Sequence, residues 1–172
     1  KKASQELDRF IENKISSYSK MRNFDLGSSE SNYVSYLSPA ITRRILTEQY
    51  VVNRVLKFLQ FNKVEKFIQE ICWRTYWKGY LEHRPKIWQE FLYDLDSSGY
   101  QRNSEKYERA VSGLTRIECF DNWIKELKGA NYLHNHTRMW FASIWIYTLH
   151  LPWQLGAELF LEHLYDADPA SN

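Results

Sequence analysis

The chain has 172 residues, 44% of them hydrophobic and 26% charged, which is enough for one core-bearing domain, short for two, and excludes disorder for most of its length. The formal net charge of +2 is unevenly divided, with 16 basic and 10 acidic side chains in residues 1–90 against 7 and 11 in residues 91–172. A basic first half suits a phosphate backbone or a dinucleotide diphosphate, and equally a solvated surface.

In chain order the punctuation predicts a succession of helices. An opening helix over ~3–17 carries Leu7, Phe10, Ile11 and Ile15 at helical spacing and stops in a polar loop around Gly27, Ser28 and Ser29. Ser38-Pro39 reads as an N-cap with Pro at the first helical position, opening a helix through Ile41, Ile45 and onward. Asn62 and Glu65 read as a capping box for a helix over ~63–82, which Pro85 ends. The polar stretch from Tyr93 to Arg109 predicts a loop with a short helix near its end. Thr115 and Glu118 form a second capping-box pattern, and Gly129 is expected to stop that helix. A helix over ~133–149 and another from Pro152-Trp153 complete the chain. No alternation of period two persists, so the fold class is all-α, a helical bundle in one domain over residues 1–172.

The longest uncharged stretch, Met139 to Gly156, is broken by His150 and Pro152, and the first residues are lysines with no apolar run behind them. Neither a membrane span nor a signal peptide is indicated. Cys72 and Cys119 are too few and too far apart for a disulfide framework or a zinc site, which points to the cytoplasm. His134 and His136 stand two apart, a spacing that sends helical side chains to different faces, and no metal site is expected.

Four blocks carry chemistry. The first is Tyr18-Ser-Lys-Met-Arg22-Asn-Phe24, and the second is Val34-Ser35-Tyr36-Leu37-Ser38-Pro39. In the second, hydroxyls and free amides at a helix start make an anion site. The third, from Gln69 to Trp77, puts Glu70, Trp73, Arg74 and Trp77 in one helical stripe. Taken alone, that stripe also fits two core indoles with a Glu70–Arg74 surface ion pair. The fourth runs from His134, Asn135, His136, Arg138 and Met139 through an aromatic segment to Asp166, Asp168 and Asn172.

In this order the blocks resemble the flavin-binding domain of the DNA photolyase and cryptochrome family. The resemblance implies FAD as cofactor, with Tyr18, Val34, Ser35, Tyr36, Leu37 and Ser38 toward its diphosphate region. Phe67, Arg74, Trp77, Arg138, Asp166, Asp168 and Asn172 would lie toward the flavin, Arg138 pairing with Asp166 and Asn172 facing N5. It implies contacts to damaged DNA from Arg22, Glu70, Trp73, Asn135, His136 and Met139. Trp153 would be the middle member of the aromatic chain that photoreduces the flavin, whose surface member would fall near Ala110. The implied reaction is light-driven electron transfer from reduced FAD to a pyrimidine dimer, with Glu70, Asn135, Met139, Trp153 and Asn172 serving the chemistry. A cryptochrome-like photoreceptor without repair activity and a cofactor-free helical remnant are the alternatives.

Val34, Tyr36 and His136 depart from the family's Thr, Arg and Arg. Neither the preceding antenna domain nor the rest of the flavin domain is represented, which implies a truncated product, a split domain completed by a C-terminal segment or second chain, or a fragment.

Overall fold

The computed structural model describes residues 2–27 and 32–170, and every regular element among them is helical. The expectation of an all-α chain therefore holds. The described residues fall into two compact units, residues 2–80 and residues 81–170, each with its own apolar core.

The first unit contains α1 (Lys2–Asn13), α2 (Ile15–Met21), α3 (Ser38–Thr42), α4 (Glu48–Leu56) and, as far as Tyr80, α5 (Phe61–Glu82). The predicted opening helix is two helices, because the backbone breaks at Lys14 (φ −126°, ψ −29°) and resumes as far as Met21. Lys14 then donates from Nζ to the carbonyl of Asn32 at 2.7 Å, while buried Asn32 accepts from the Leu26 amide at 2.7 Å. Of the loop expected after it, Ser28 and Ser29 lie outside the described residues. The helix expected to run on from Ser38 instead closes at Thr42, and the chain turns through left-handed Arg44 (φ 57°). It restarts at Glu48 under the Thr47 hydroxyl, which accepts from the Tyr50 amide at 3.1 Å. Thr47 is the side-chain cap in this region, not Ser38: Leu37 occupies the α3 cap position and Ser38 is already helical. Likewise Asn62 lies inside α5, and Glu65 accepts from Gln69 Nε2 rather than closing a box. Val64, Phe67, Ile68 and Ile71 bury one face of α5 against Leu7, Phe10, Ile41, Val51 and Val55.

The second unit contains α6 (Pro85–Ser97), a 3-10 turn (Gly99–Asn103), α7 (Glu105–Val111), α8 (Glu118–Ala130), α9 (Asn135–Ser143), a π-helical turn (Ile144–Thr148) and α10 (Trp153–His163). Pro85 follows the end of α5 and opens α6, since a missing amide is harmless in a first turn. Residues 93–97, expected as loop, are therefore helical; the short helix expected near the end of that stretch is α7, capped by Ser104. Gly129 does not stop α8, which runs to Ala130 and closes on left-handed Asn131 (φ 53°). Trp145 is the centre of the second core: it stacks on Phe141 and donates from Nε1 to the Pro152 carbonyl at 2.8 Å, fixing the entry to α10. Gly156 lies so close that a Cβ there would meet the Trp145 ring at 3.1 Å.

Before α8 the predicted Thr115/Glu118 box is replaced by a different clasp. Asp121 accepts from the Thr115 amide at 2.9 Å, the Thr115 hydroxyl at 2.6 Å and the Arg116 amide at 3.1 Å. Burial pushes the Asp121 carboxyl up, but these bonds and nearby Lys125 outweigh it and hold it below the usual carboxylate range. A lowered folded-state value means stability that is present above the ordinary carboxylate range and is lost as the pH falls through the lowered one. Asp121→Ala is expected to destabilise the chain by roughly 1–2 kcal/mol, the range of a lost cap. Urea unfolding should show that deficit near neutral pH and its shrinkage in acid; an equal deficit at both would rule out the clasp.

Candidate functional site

Chemistry-bearing residues gather in two clusters, one in each unit. In the first unit, α2 and α5 bring Tyr18, Arg22, Phe67 and Glu70 together. The Tyr18 ring meets Phe10 and Phe67 edge to face at 5.9 and 5.3 Å. Burial, reinforced by the Glu70 carboxylate and opposed by Arg22, pushes the Tyr18 hydroxyl far up, so it remains a neutral donor. Arg22 Nε lies 3.5 Å from Glu70 Oε1, and Lys66 Nζ lies 3.7 Å from the same oxygen. Phe67, expected beside the cofactor, is buried in the core with Leu37; both side chains face apolar neighbours.

Arg74 turns toward the second block, donating from Nη1 to the Ser38 hydroxyl at 3.0 Å and from Nη2 to the Thr42 hydroxyl. Upstream, the Leu37 amide donates to Ser35 Oγ at 3.4 Å, and Tyr36 adopts a left-handed φ of 54°. The anion site expected there rests less on a helix start than the sequence implied, because α3 is only five residues long. A helix that short sums few peptide dipoles, and the cation beside its first turn is Arg74.

Along α5, Trp73 and Trp77 are not core indoles. Trp73 is 54% exposed, Tyr76 54% and Trp77 45%. Edge-to-face contacts link Trp73 to Tyr76 at 5.7 Å, Tyr76 to Trp77 at 5.3 Å and Trp77 to Tyr80 at 5.4 Å. The sequence reading missed Tyr76 and Tyr80 in this ladder, though their spacing of three and seven from Trp73 was available to find them.

In the second unit, α9 begins at Asn135 beneath His134, whose Nδ1 accepts from the His136 amide at 3.2 Å. Arg138 reaches back, donating from Nε to the Leu133 carbonyl at 3.0 Å and from Nη1 to Asp166 Oδ2 at 3.2 Å. The Asp166 side chain is only 3% exposed and that of Arg138 12%. Asp168 is also buried and accepts from the Ala170 amide at 3.0 Å. Asn135 and Met139 are exposed and His136 half-buried. Trp153, at the start of α10, is half exposed and tilts onto Phe91 at 5.5 Å. Ala110, where a surface aromatic was expected, is fully buried. Asn172 lies outside the described residues. No grouping of three metal-ligating side chains occurs among the described residues.

The second unit thus carries a buried carboxylate–guanidinium pair, and the first an arginine-braced turn and a run of exposed aromatic rings. The model of the FAD binding domain of DNA photolyase matches residues 67–172, and the chain belongs to that family. It is 27% identical to the deoxyribodipyrimidine photo-lyase of Neurospora crassa, in an alignment covering 99% of this chain and 28% of the relative. It is also 27% identical to the cryptochrome DASH of Ostreococcus tauri, over 92% of the chain and 30% of the relative. The crystal structure of a bacterial class III photolyase from Agrobacterium tumefaciens superposes with a TM-score of 0.80 at 26% identity, covering 98% of this chain and 35% of that one. The chain spans about a third of the length of these relatives.

Removing the Arg138 guanidinium strands a buried carboxylate. Arg138→Ala is expected to cost roughly 3–5 kcal/mol in urea unfolding, whereas Arg138→Met with Asp166→Leu recovers most of it. A double variant no more stable than the single one would mean the pair is not what the fold depends on here.

Proposed function

We propose that this chain supplies part of a flavin site and part of a damaged-DNA site in a light-driven photolyase. The observation that carries this reading is the ladder of exposed Trp73, Tyr76 and Trp77, ending on half-buried Tyr80, on the helix that also holds Glu70 and Arg74. Large rings left in water on one helical stripe suit stacking against flat ligands.

The donor set fits FAD. Arg74 with Ser35 and Ser38 would hold the diphosphate, together with Tyr18 and the backbone of Val34, Tyr36 and Leu37. Trp77, Arg138, Asp166, Asp168 and Asn172 would address the flavin ring and its ribityl chain. When bound, reduced FAD excited by light supplies the electron that splits the pyrimidine dimer and recovers it afterward. The residues of this chain position the reactants. Glu70, with Arg22 and Lys66 beside it, would accept hydrogen bonds from a flipped pyrimidine base, and Trp73 would stack on that base. Asn135 and Met139 bound the substrate side, and His136 and Arg22 approach the phosphates. Trp153 serves flavin photoreduction. Segments of a longer protein or a second chain would complete the pocket. No helix among the described residues is long and apolar enough to cross a membrane; the cytoplasm remains part of the proposal.

A cryptochrome-like photoreceptor without repair activity is the second reading, in keeping with the similarity to a relative named cryptochrome DASH. A repair assay on dimer-containing DNA separates the two, since a photoreceptor leaves the dimer intact under blue light.

In flavin-loaded protein containing this chain, Trp73→Ala is expected to lose roughly 1–3 kcal/mol of affinity for damaged DNA, the range for one base–aromatic stack. Flavin absorbance should hardly change. Arg74→Ala should do the reverse, releasing flavin first. Loss of fold in Trp73→Ala without a selective DNA defect would sink the substrate assignment.

A further inference from the structure

A second aromatic surface lies on α8 and α9, apart from the residues assigned above to flavin. Trp140 is 51% exposed, although the neighbouring positions Phe141 and Trp145 take the buried places of the second core. Its ring lies nearly parallel to that of Trp123, with planes 24° apart and centroids 6.3 Å apart. His136, one turn before Trp140, meets it edge-on at 5.3 Å. Trp123 packs partly against the second core, so the pair is held rigidly from below while its outer surface faces water. Exposed indoles held in a fixed stack are costly to hydrate, and a ligand with its own flat face recovers that cost better than aliphatic side chains do.

The same helix carries Asn135 and exposed Met139, the residues the proposed function puts on the substrate side. The aromatic surface thus continues a DNA-facing helix. We infer that Trp140, backed by Trp123 and edged by His136, is a stacking platform for an unpaired nucleobase of the DNA strand. This rests on the reading that α9 faces DNA. The platform would hold a base left without its partner when the lesion is flipped out. Stacking tolerates any base, because every base offers a π-face.

The test is fluorescence anisotropy of a labelled oligothymidylate titrated with the 172-residue chain, beside a duplex of matching length. The chain should bind the single strand more tightly than the duplex. Trp140→Ala and Trp123→Ala should each weaken single-strand binding by about tenfold, within the range of one lost base–aromatic stack. Trp140→Phe should restore most of it. Trp88→Ala, which removes another exposed indole of the same unit, should leave it unchanged, and circular dichroism should report the same helix content for every variant.

The inference is overturned if the chain does not bind the oligonucleotide, if Trp140→Ala binds as tightly as wild type, or if Trp88→Ala loses as much. It is equally overturned if Trp140→Ala abolishes only self-association, which would make the surface a protein interface. Failure of the two readings is distinguishable. Lesion preference lost in Trp73→Ala with Trp140→Ala silent removes the platform alone; a Trp140 effect without any lesion preference keeps the platform and removes repair.

Discussion

A carboxyl group cannot be buried in an apolar interior without polar partners, and the second unit meets that constraint at Asp166. Arg138 answers it, and its guanidinium is itself held by the Leu133 carbonyl and lies over the Tyr132 ring at 5.9 Å. Those contacts require the segment before α9 to run beside the segment after α10. Asn131 makes the join: its carbonyl accepts from the Tyr165 amide at 3.0 Å, and its Nδ2 donates to the His163 carbonyl at 2.8 Å. The left-handed turn at Asn131 both ends α8 and turns the chain toward that strap. Because α9 starts from the same segment, the buried pair sets where Asn135, His136 and Met139 point.

The first unit solves a different problem, a single long helix serving two surroundings. The buried side chains of α5 end at Ile71, and after it Trp73, Tyr76 and Trp77 are exposed while Tyr80 is half-buried. Glu70 and Arg74 stand at the changeover, tied to α2 through Arg22 and to α3 through Ser38 and Thr42. Charged groups anchored on both sides at that point fix the rotation of the helix, and rotation decides which rings face outward. The arginine that would meet the cofactor is also the one that braces the turn. Its replacement is therefore expected to disturb the phosphate side before the aromatic side.

Much of this was legible because it is local. Helical periodicity gave the class, and Asn135, Arg138, Asp166 and Asp168 stood out through residue type and order along the chain. Arg138 and Asp166 could be paired only through the family resemblance, since 28 residues separate them and no spacing rule reaches that far. Caps were the least legible feature. Ser38, Asn62 and Glu118 all satisfied a capping pattern, yet the hydroxyl of Ser38 was taken by Arg74, and Asp121 displaced Glu118. A capping motif states which side chain can bond a free amide, while tertiary packing decides which competitor is nearer.

The sequence by itself determined the helical class, the existence of a basic first half and the order of polar and aromatic blocks that carries the family resemblance. Only the tertiary structure decided that Trp73 and Trp77 face water while Phe67 does not, that the position of Ala110 is interior, and that Trp140 lies on Trp123. Residue type and period fix which side chains share a stripe of one helix. Whether a stripe is covered depends on segments distant in sequence, and that coverage is a property of the packed chain.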